Sequence, residues 1–314
     1  MASAGLRVVI LTYGFDQQHL PLVEALVADG CAPERILLVH NPAYPGDAWA
    51  PERARSVDLH LMPFNAGYAG GMNEGLRRQL AAGAERVLLL THDMRPACGM
   101  VAALEDALDR LPDVGVAGPV LVDASDGGVW SAGVERTGGT LKHRTSLTAP
   151  DGLPLIPADC IDGTAMLVRG DLARQLEGFD ERFFMYFEES EFCLRATRRG
   201  WRVGVVPGAR ATTRPGRSKR HAAHAYFLTR NGLEYARRAD GWQGMAGALV
   251  EITRRSWWAL PKPGWSGSAG RAERRVGTQR LIGTAVGLVH FVGRRWGPPP
   301  EFVRRMSDIA GTRS

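Results

Sequence analysis

The sequence predicts an α/β fold in which a mainly parallel sheet is flanked by helices. Two observations lead to this prediction. In the first half of the chain, short apolar runs of strand length alternate with helical patterns. After residue 226 the chain becomes helical and basic. With 314 residues and 45 % hydrophobic content, the chain is long enough for one large α/β domain and an appendage.

The elements of the first half follow one another closely. A helix capped by Asp16 carries Leu20, Val23 and Val27 on one face and ends at Gly30. The other predicted strands and helices come at regular intervals. The predicted strands are 6–12, 35–41, 57–63, 86–91 and 114–121, and the further helices are 68–83 and 97–111.

Between residues 122 and 157 the pattern changes to short β-rich pieces separated by glycine turns. The turns are Asp126-Gly127-Gly128 and Gly138-Gly139, which are typical of hairpins. We predict an insertion here, after which the sheet resumes at 160–168. A helix at 189–199 then ends at Gly200, and a strand at 201–206 ends at Pro207.

We predict a domain that covers residues 1–235, followed in the chain by a helical extension at 236–314. Residues 262–270 read as a Pro/Gly/Ser linker before a helix at 271–296. Its apolar stretch 281–292 lies between arginines, which is the composition of an interfacial amphipathic helix. A helix packed on the protein's own core or on a second subunit has the same stripe, and we favour that alternative.

Charge and cysteine content limit the classes of partner and site. The net charge of +6 and pI of about 9.4 favour anionic ligands. The four cysteines lack the spacing of a zinc site or a disulfide framework. No apolar run approaches the ~20 residues of a membrane span. The N-terminus has no features of a signal peptide. We therefore expect a cytoplasmic protein, with peripheral membrane contact as an option.

The most informative stretch is 178–191, which reads G-F-D-E-R-F-F-M-Y-F-E-E-S-E. It places Glu188, Glu189 and Glu191 directly after an aromatic run. Like charges and apolar neighbours both raise carboxyl pKa values, which suits a general base near working pH. The alternative is the solvated first turn of a helix, where acidic residues are favoured.

Three further motifs precede this stretch. They are V-V-I-L-T-Y at 8–13, N-A-G-Y-A-G-G-M-N-E-G at 65–75 and D-G-T-A-M-L-V-R at 162–169. In this order, the four motifs resemble those of the inverting family 2 glycosyltransferases, a group that includes bacterial rhamnosyl- and galactofuranosyltransferases. The resemblance covers roughly residues 6–235. It implies the GT-A fold, with a Rossmann-like sheet, a nucleotide-sugar half at about 1–120 and an acceptor half at about 121–235.

For the nucleotide, the resemblance implies a site after the first two strands. Ligands of open α/β sheets dock at the carboxyl ends of the strands, where Thr12 and Tyr13 stand. His40-Asn41 occupies the place where the family has Asp-Asn. A neutral imidazole of His40 accepts a hydrogen bond from a pyrimidine N3–H, and Asn41 is the alternative acceptor.

The glycine-rich motif is expected to be a donor-binding loop. Glycines such as Gly67 allow the backbone to approach a phosphate or a sugar, and the following helix N-terminus favours anions. Asn65 and Asn73 match the asparagines of the family motif. We expect Asn73 to contact the ligand.

Thr91-His92-Asp93 stands where the family places a metal-binding element. By resemblance, Asp93 binds Mn²⁺ or Mg²⁺ together with the diphosphate, and His92 adds a nitrogen ligand. The alternative is that Asp93 caps the following helix.

The resemblance also assigns the acceptor side of the site. Asp162 and Gly163 line the acceptor or the donor-sugar pocket. Glu189 falls on the position of the family's general base, while Glu188 shapes the pocket and Glu191 contacts the acceptor.

Basic residues downstream either close on the diphosphate or form a solvated loop. In the Y-x-x-R-N motif, Arg230 reaches a phosphate or pairs with an acid of the fold. The downstream basic residues are Arg210, Arg214, Arg217, Lys219, Arg220, His221 and His224.

Together these features predict an inverting, metal-dependent glycosyltransferase. It would move a hexosyl or deoxyhexosyl group from a UDP or dTDP sugar to a hydroxyl or amine of a glycan, a lipid-linked saccharide or a specialised metabolite. We expect no nucleic-acid partner, and a homodimer is an option.

One alternative is a non-catalytic nucleotide-sugar binding protein. The other is a sugar-1-phosphate nucleotidyltransferase, which would need a basic glycine-rich loop directly after the first strand. Residues 12–16 lack such a loop.

Overall fold

The computed structural model of the protein describes residues 2–14, 19–43, 57–147, 153–214, 221–260 and 267–308. The chain divides into two compact units. The first comprises 1–135, 142–181 and 188–215, and the second comprises 136–141, 182–187 and 216–314. The predicted domain boundary at residue 235 falls inside a helix of the second unit.

The strands form one large sheet and one separate hairpin. In chain order the strands are β1 (Leu6–Tyr13), β2 (Ile36–Asn41), β3 (Asp58–Leu61), β4 (Arg86–Thr91), β5 (Arg95–Pro96), β6 (Val114–Asp123), β7 (Val129–Ser131), β8 (Val134–Thr137), β9 (Thr140–His143), β10 (Ile156–Pro157), β11 (Ala165–Arg169) and β12 (Arg202–Thr213). Strands β8 and β9 pair only with each other.

The helices divide between the two units. The first unit contains α1 (His19–Ala28), α2 (Gly67–Ala81), α3 (Met100–Arg110), α4 (Gly170–Leu176) and α5 (Glu188–Arg198), with a 3-10 turn at Pro33–Arg35. The second unit contains α6 (His221–Ala259), α7 (Gly267–Val292) and α8 (Glu301–Asp308).

The large sheet has the order β10-β12-β6-β11-β4-β1-β2-β3. Strands β3, β2, β1, β4, β6 and β12 run in one direction, while β11 and β10 run in the other. The prediction of an α/β fold with a mainly parallel sheet is confirmed.

Helices cover the central strands, which are therefore buried on both faces. Leu22 and Leu26 of α1 pack in one core cluster with Met100 and Leu104 of α3 and the inward side chains of β1. Helix α2 crosses β1 at short range, because a Cβ on Gly75 would lie 2.3 Å from Val9 Cγ1. The start of α2 is thereby held close to the edge of the sheet.

Some predicted boundaries were wrong. Strand β12 continues through Pro207 because its pairing with β6 shifts register between Val206 and Arg210, an irregularity that tolerates a missing N–H. The predicted strand 160–168 begins only at Ala165, and helix α4, which follows it, was not predicted. The predicted cap Asp16 lies outside the described residues.

In the second unit, α7 packs backbone to backbone on α6. A Cβ on Gly277 would lie 2.2 Å from Ala259 O, and one on Gly283 would lie 2.1 Å from Ala222 O. This close packing supports the packed alternative for the predicted amphipathic helix. Residues 267–270, predicted as linker, are already helical, and 261–266 lie outside the described part. Neither α6 nor any other described helix has the length and apolar character of a membrane span.

Candidate active site

The site lies where the chain changes direction across the sheet. β1 lies between β2 and β4, with Tyr13 paired to Asn41 and Leu11 paired to Thr91. The chain runs from β1 outward to β2 and β3 and then returns to β4, so the strand order reverses between β1 and β4. Such a switch point is the usual ligand crevice of open α/β sheets.

The antiparallel strand β11 brings the Asp162 turn to the same edge. The amide of Thr91 donates to Thr164 O at 3.1 Å, so residues 162–164 lie beside the end of β4. Within the turn, Asp162 Oδ1 accepts a hydrogen bond from the Thr164 amide at 2.8 Å. Its other carboxylate oxygen lies 3.8 Å from His143 Nδ1.

Tyr68 connects the glycine-rich loop to this turn, which the sequence reasoning missed. Its hydroxyl donates to Gly163 O at 2.6 Å, and its ring meets Phe179 edge-on. Burial, followed by the nearby Glu188, Glu189 and Asp162 carboxyls, raises the pKa of Tyr68 well above its usual value. The signal in the sequence that could have indicated this role is the tyrosine within the glycine-rich motif.

The acidic pair at the start of α5 lies in this cluster. Glu188 is 3 % exposed, and its Oε2 has no hydrogen-bond partner among the described residues. Burial, and secondly the Glu189 carboxyl, raise the pKa of Glu188 well above its usual value. The Glu188 carboxyl therefore resists ionisation more than an ordinary glutamate does.

Glu189 is half-buried, and its pKa is raised to about 7. Burial is the main cause, a backbone hydrogen bond opposes it, and the Asp162 carboxylate adds to the increase. A carboxyl with this pKa is half ionised near neutral pH. It can therefore accept a proton from a hydroxyl group and later release it.

Glu191 has a structural role, which revises its assignment as an acceptor contact. Its Oε2 accepts from Arg195 Nε at 2.7 Å, and its side chain is buried. Arg195 also donates to the carbonyls of Leu176 and Gly178, each at 2.7 Å. This ion pair therefore fixes α5 against the segment after α4.

Asn73 also binds protein groups instead of presenting its amide to a ligand. Its Nδ2 donates to Phe179 O at 2.9 Å and to Glu181 Oε1 at 3.0 Å, while its Oδ1 accepts from the Phe179 amide at 2.8 Å. Gly178 has a φ of +79°, and a Cβ there would lie 2.4 Å from Asn73 Oδ1. The predicted ligand contact is thus revised to an anchor for the start of the acidic stretch.

Asn41 and Asn65 shape the glycine-rich loop. Asn41 Nδ2 donates to Gly67 O at 2.6 Å, and its Oδ1 accepts from the Ala66 amide at 3.3 Å. Asn65 Oδ1 accepts from the Gly67 amide at 2.9 Å. The buried Asn41 therefore holds the loop, which revises its assignment as acceptor for a base.

Thr12 and His40 are bonded to each other below the site. Thr12 Oγ1 lies 3.0 Å from His40 Nδ1, and the two residues are 1 % and 2 % exposed. This burial contradicts the prediction that they face the nucleotide. Tyr13, half-buried at the end of β1, remains at the predicted edge.

Asp93 remains the candidate metal ligand. Thr91 Oγ1 donates to Asp93 Oδ1 at 2.8 Å, and His92 Nδ1 lies 3.3 Å from Leu11 O. The capping alternative is wrong, because the N-cap of α3 is Gly99. Within the described ranges no three acidic, histidine or cysteine side chains form a metal cluster. A cation bound to the Asp93 carboxylate would take its other ligands from diphosphate and water oxygens.

Arg230 belongs to the second unit and has no donor left for a phosphate. Its side chain is 0 % exposed, and it makes no ion pair with an acid in the described part. Its five N–H groups all go to protein acceptors, so the predicted phosphate contact is wrong. The acceptors are Asn231 Oδ1, the Tyr226 hydroxyl and the carbonyls of Gly297, Arg182 and Phe183.

Of the basic residues after β12, Arg214 is exposed, whereas Arg217, Lys219 and Arg220 lie outside the described residues. Arg210 is part of β12 itself, where its carbonyl accepts from the Ala97 amide at 2.9 Å.

Comparisons with known proteins agree with this architecture. No family model matches the chain. It is 26 % identical over 283 residues, 81 % of this chain and 91 % of the relative, to an N-acetylglucosaminyl-diphospho-decaprenol L-rhamnosyltransferase of Mycobacterium tuberculosis. It is 24 % identical over 152 residues, 48 % of this chain and 50 % of the relative, to a dTDP-rhamnosyl transferase of Shigella flexneri.

Among solved structures, a mannosyltransferase from Pyrobaculum calidifontis in complex with GDP-Man and Mn²⁺ matches with a TM-score of 0.52 and 15 % identity, over 93 % of this chain and 88 % of the other. At this identity the likeness concerns the fold. The chain has the GT-A fold, and its resemblance to the rhamnosyltransferase-like family 2 glycosyltransferases is confirmed.

Proposed function

We propose that this protein is an inverting glycosyltransferase that moves a rhamnosyl or other hexosyl group from a nucleoside diphosphate sugar to an acceptor. The observation that carries the proposal is Glu189. It stands at the carboxyl edge of a GT-A sheet, with a pKa of about 7 beside Asp162. The named activities of the mycobacterial and Shigella relatives support the class of reaction.

In the proposed reaction, Glu189 accepts the proton of an acceptor hydroxyl as its oxygen attacks the anomeric carbon. The bond to the nucleoside diphosphate breaks on the opposite face, so the configuration at that carbon inverts. Glu188 is buried next to Glu189, and its raised pKa disfavours a second negative charge beside the base. Glu189, with a pKa of about 7, is the carboxyl that we assign as the base.

Tyr68 and the Asp162 turn position the reacting groups. The Tyr68 hydroxyl donates a hydrogen bond to Gly163 O. This bond joins the glycine-rich loop to the turn that faces Glu189. We infer that the loop binds the donor diphosphate and that Asp162 contacts the sugar. The assignment of Asp162 to the sugar rests on the charge of Asp162, which raises the pKa of Glu189.

A divalent cation, Mn²⁺ or Mg²⁺, would be held by Asp93 with His92 beside it. Its chemistry at this place is to neutralise the charge of the departing diphosphate. The Pyrobaculum structure contains Mn²⁺ together with GDP-Man, which supports such a cofactor. The Thr91 hydroxyl orients the Asp93 carboxylate for this role.

For the donor we propose a UDP or dTDP sugar, in line with the dTDP-rhamnosyl transferase of Shigella. For the acceptor we favour a lipid-linked saccharide among the three candidate classes. The mycobacterial relative, 91 % of which is covered by the alignment, is named as an enzyme that acts on a lipid-linked saccharide, and this name supports the choice.

The test is a transfer assay with the purified full chain, with dTDP-rhamnose or UDP-hexoses as donors and acceptors from all three classes. We expect acceptor-dependent release of dTDP or UDP that requires Mn²⁺ or Mg²⁺. NMR of the product should show the anomeric configuration opposite to that of the donor. Retention of configuration would contradict the inverting mechanism. Binding of the donor without turnover on any acceptor class would favour the non-catalytic alternative.

A further inference from the structure

The second unit contains a cavity of about 320 Å³ between α6 and α7. Arg254, Arg255 and Arg280 form its charged wall, and Trp258 and Ile252 contribute apolar surface. Every residue assigned to sugar transfer lies in the first unit. None of the residues that line the cavity is among them.

The three arginines of this wall carry more positive charge than the neighbouring carboxylate neutralises. Arg254 and Arg255 both bind the Glu251 carboxylate, at 2.7 and 2.8 Å. Their hydrogen bonds lower the pKa of Glu251 to about 2, so this carboxylate stays ionised. Arg280 forms no ion pair with any residue that the structure describes. One carboxylate thus faces three guanidinium groups.

Hydrogen-bond donors remain available for a ligand. Arg255 uses only its Nε for Glu251, so both of its terminal nitrogens make no further hydrogen bond within the described part of the chain. The hydroxyls of Ser256 and Thr284 line the same cavity. Guanidinium groups that converge with hydroxyls are typical ligands of phosphate oxygens.

The pKa of His224 shows that the charges of Arg255 and Arg280 both act on this one side chain. Desolvation, followed by the charges of Arg255 and Arg280, lowers the pKa of His224 to about 4. The imidazole is therefore neutral at pH 7, and the positive charge of the cavity comes from arginines alone. An anion that binds there relieves the mutual repulsion of the arginines.

Trp258, which lines the cavity, is a large apolar side chain that is 59 % exposed. Trp257 and Leu260, which lie close to it in the chain, are also exposed, at 71 % and 41 %. Large exposed apolar side chains beside a cationic cavity suit an anion that is attached to an apolar body.

We propose that this cavity is a phosphate-binding site in which Arg255 and Arg280 hold the oxygens of a phosphate or diphosphate group. The group belongs either to a free ion or to the headgroup of a lipid whose apolar part lies against Trp258. The proposal does not depend on the glycosyltransferase function.

The test compares Arg280→Gln with Arg275→Gln in the full-length protein. Arg275 is an exposed residue of the same helix that does not line the cavity, so both variants lose one positive charge from α7. One arm measures the binding of inorganic pyrophosphate by calorimetry. The other arm measures co-sedimentation with phosphatidylcholine vesicles that contain or lack phosphatidate.

We expect Arg280→Gln to weaken binding about 10-fold or more in at least one arm, and Arg275→Gln to change it little. Loss in the pyrophosphate arm identifies a site that accepts the free ion. Loss in the phosphatidate arm alone identifies a lipid headgroup.

Arg255→Gln should reproduce the loss, and circular dichroism checks that each variant is folded. Equal binding by Arg280→Gln and Arg275→Gln in both arms would overturn the proposal. So would an unmodified protein that binds neither probe.

Discussion

Asn231 donates a hydrogen bond from Nδ2 to the carbonyl oxygen of Phe183 at 2.9 Å. The same amide group also lies 2.9 Å from Met185 O and 2.8 Å from Tyr186 O. Phe184, Tyr186 and Phe187 have φ values of 65°, 68° and 72°, in the left-handed region that non-glycine residues seldom occupy. One side chain thus stabilises the strained segment that directly precedes Glu188 in the chain.

Replacing Asn231 should therefore destabilise the fold. Asn231→Ala removes the donor to Met185 O and Tyr186 O and the acceptor of Arg230 Nε. We expect a loss of about 1–3 kcal/mol in the free energy of unfolding, the usual cost of an unsatisfied buried polar group. Urea denaturation measures it. Gln243→Ala, at an exposed position of the same helix, is the control, and equal stability of the two variants would show that Asn231 is dispensable.

Glu188 should make the folded protein less stable as the pH rises. Its folded pKa lies above the ordinary glutamate value of 4.5, so from about pH 4.5 upward the folded state retains a proton that the unfolded chain releases. Stability due to this group is present at low pH and is lost as the pH increases toward the folded pKa.

Glu188→Gln removes this dependence, so the variant should melt at a higher temperature than the unmodified protein at pH 8. The difference should disappear near pH 4.5. Thermal melts between pH 4.5 and pH 8 test this expectation, with Glu34→Gln at an exposed position as control. A Glu188→Gln variant that is less stable at pH 8 would show that the carboxyl has a stabilising partner.

Asp93 should account for metal-dependent nucleotide binding. Asp93→Asn keeps an acceptor for the Thr91 hydroxyl but removes the charge. We expect the affinity for UDP or dTDP in the presence of Mn²⁺ to fall roughly 10-fold or more, with little change in EDTA. Calorimetry with both additives measures this, and Asp106→Asn on the surface of α3 is the control. An unchanged response to Mn²⁺ would remove Asp93 from the metal site.

Tyr68 should affect transfer through the turn that it holds. Tyr68→Phe deletes the hydrogen bond to Gly163 O without changing the ring contact with Phe179. We expect about 1 kcal/mol less stability, together with a lower kcat. If stability falls while kcat and KM stay unchanged, the bond has only a structural role.

The sequence predicted the sheet well because its central strands are continuous apolar runs. The family resemblance assigned Asp93 and the Asp162 turn to one site, and the structure brings both to the same edge because they flank strands that pair directly. The roles of single polar side chains were harder to predict. Asn73 binds Phe179, which lies 106 residues away, and Glu191 binds Arg195 on its own helix. Only the tertiary fold determines whether such a side chain faces a ligand or the backbone.

The two clearest errors of the sequence-based prediction concern Pro207 and His40. A proline is a reasonable strand end, but Pro207 lies at a register shift and β12 continues beyond it. His40 stands where the family has an aspartate, yet its ring is buried against Thr12. Neither the irregular pairing nor the burial has a local signature in the sequence.

The most direct test is the pH dependence of transfer by Glu189→Gln. With a Glu189 pKa of about 7, kcat of the unmodified protein should rise with pH and level off above pH 7, because the carboxylate is the active form. Glu189→Gln should lower kcat by roughly 10²–10⁴-fold and abolish this dependence, while donor binding stays nearly intact. Glu177→Gln, at an exposed carboxylate directly after α4, is the control. Near-normal turnover by Glu189→Gln, with the pH dependence retained, would contradict the assignment of Glu189 as the base.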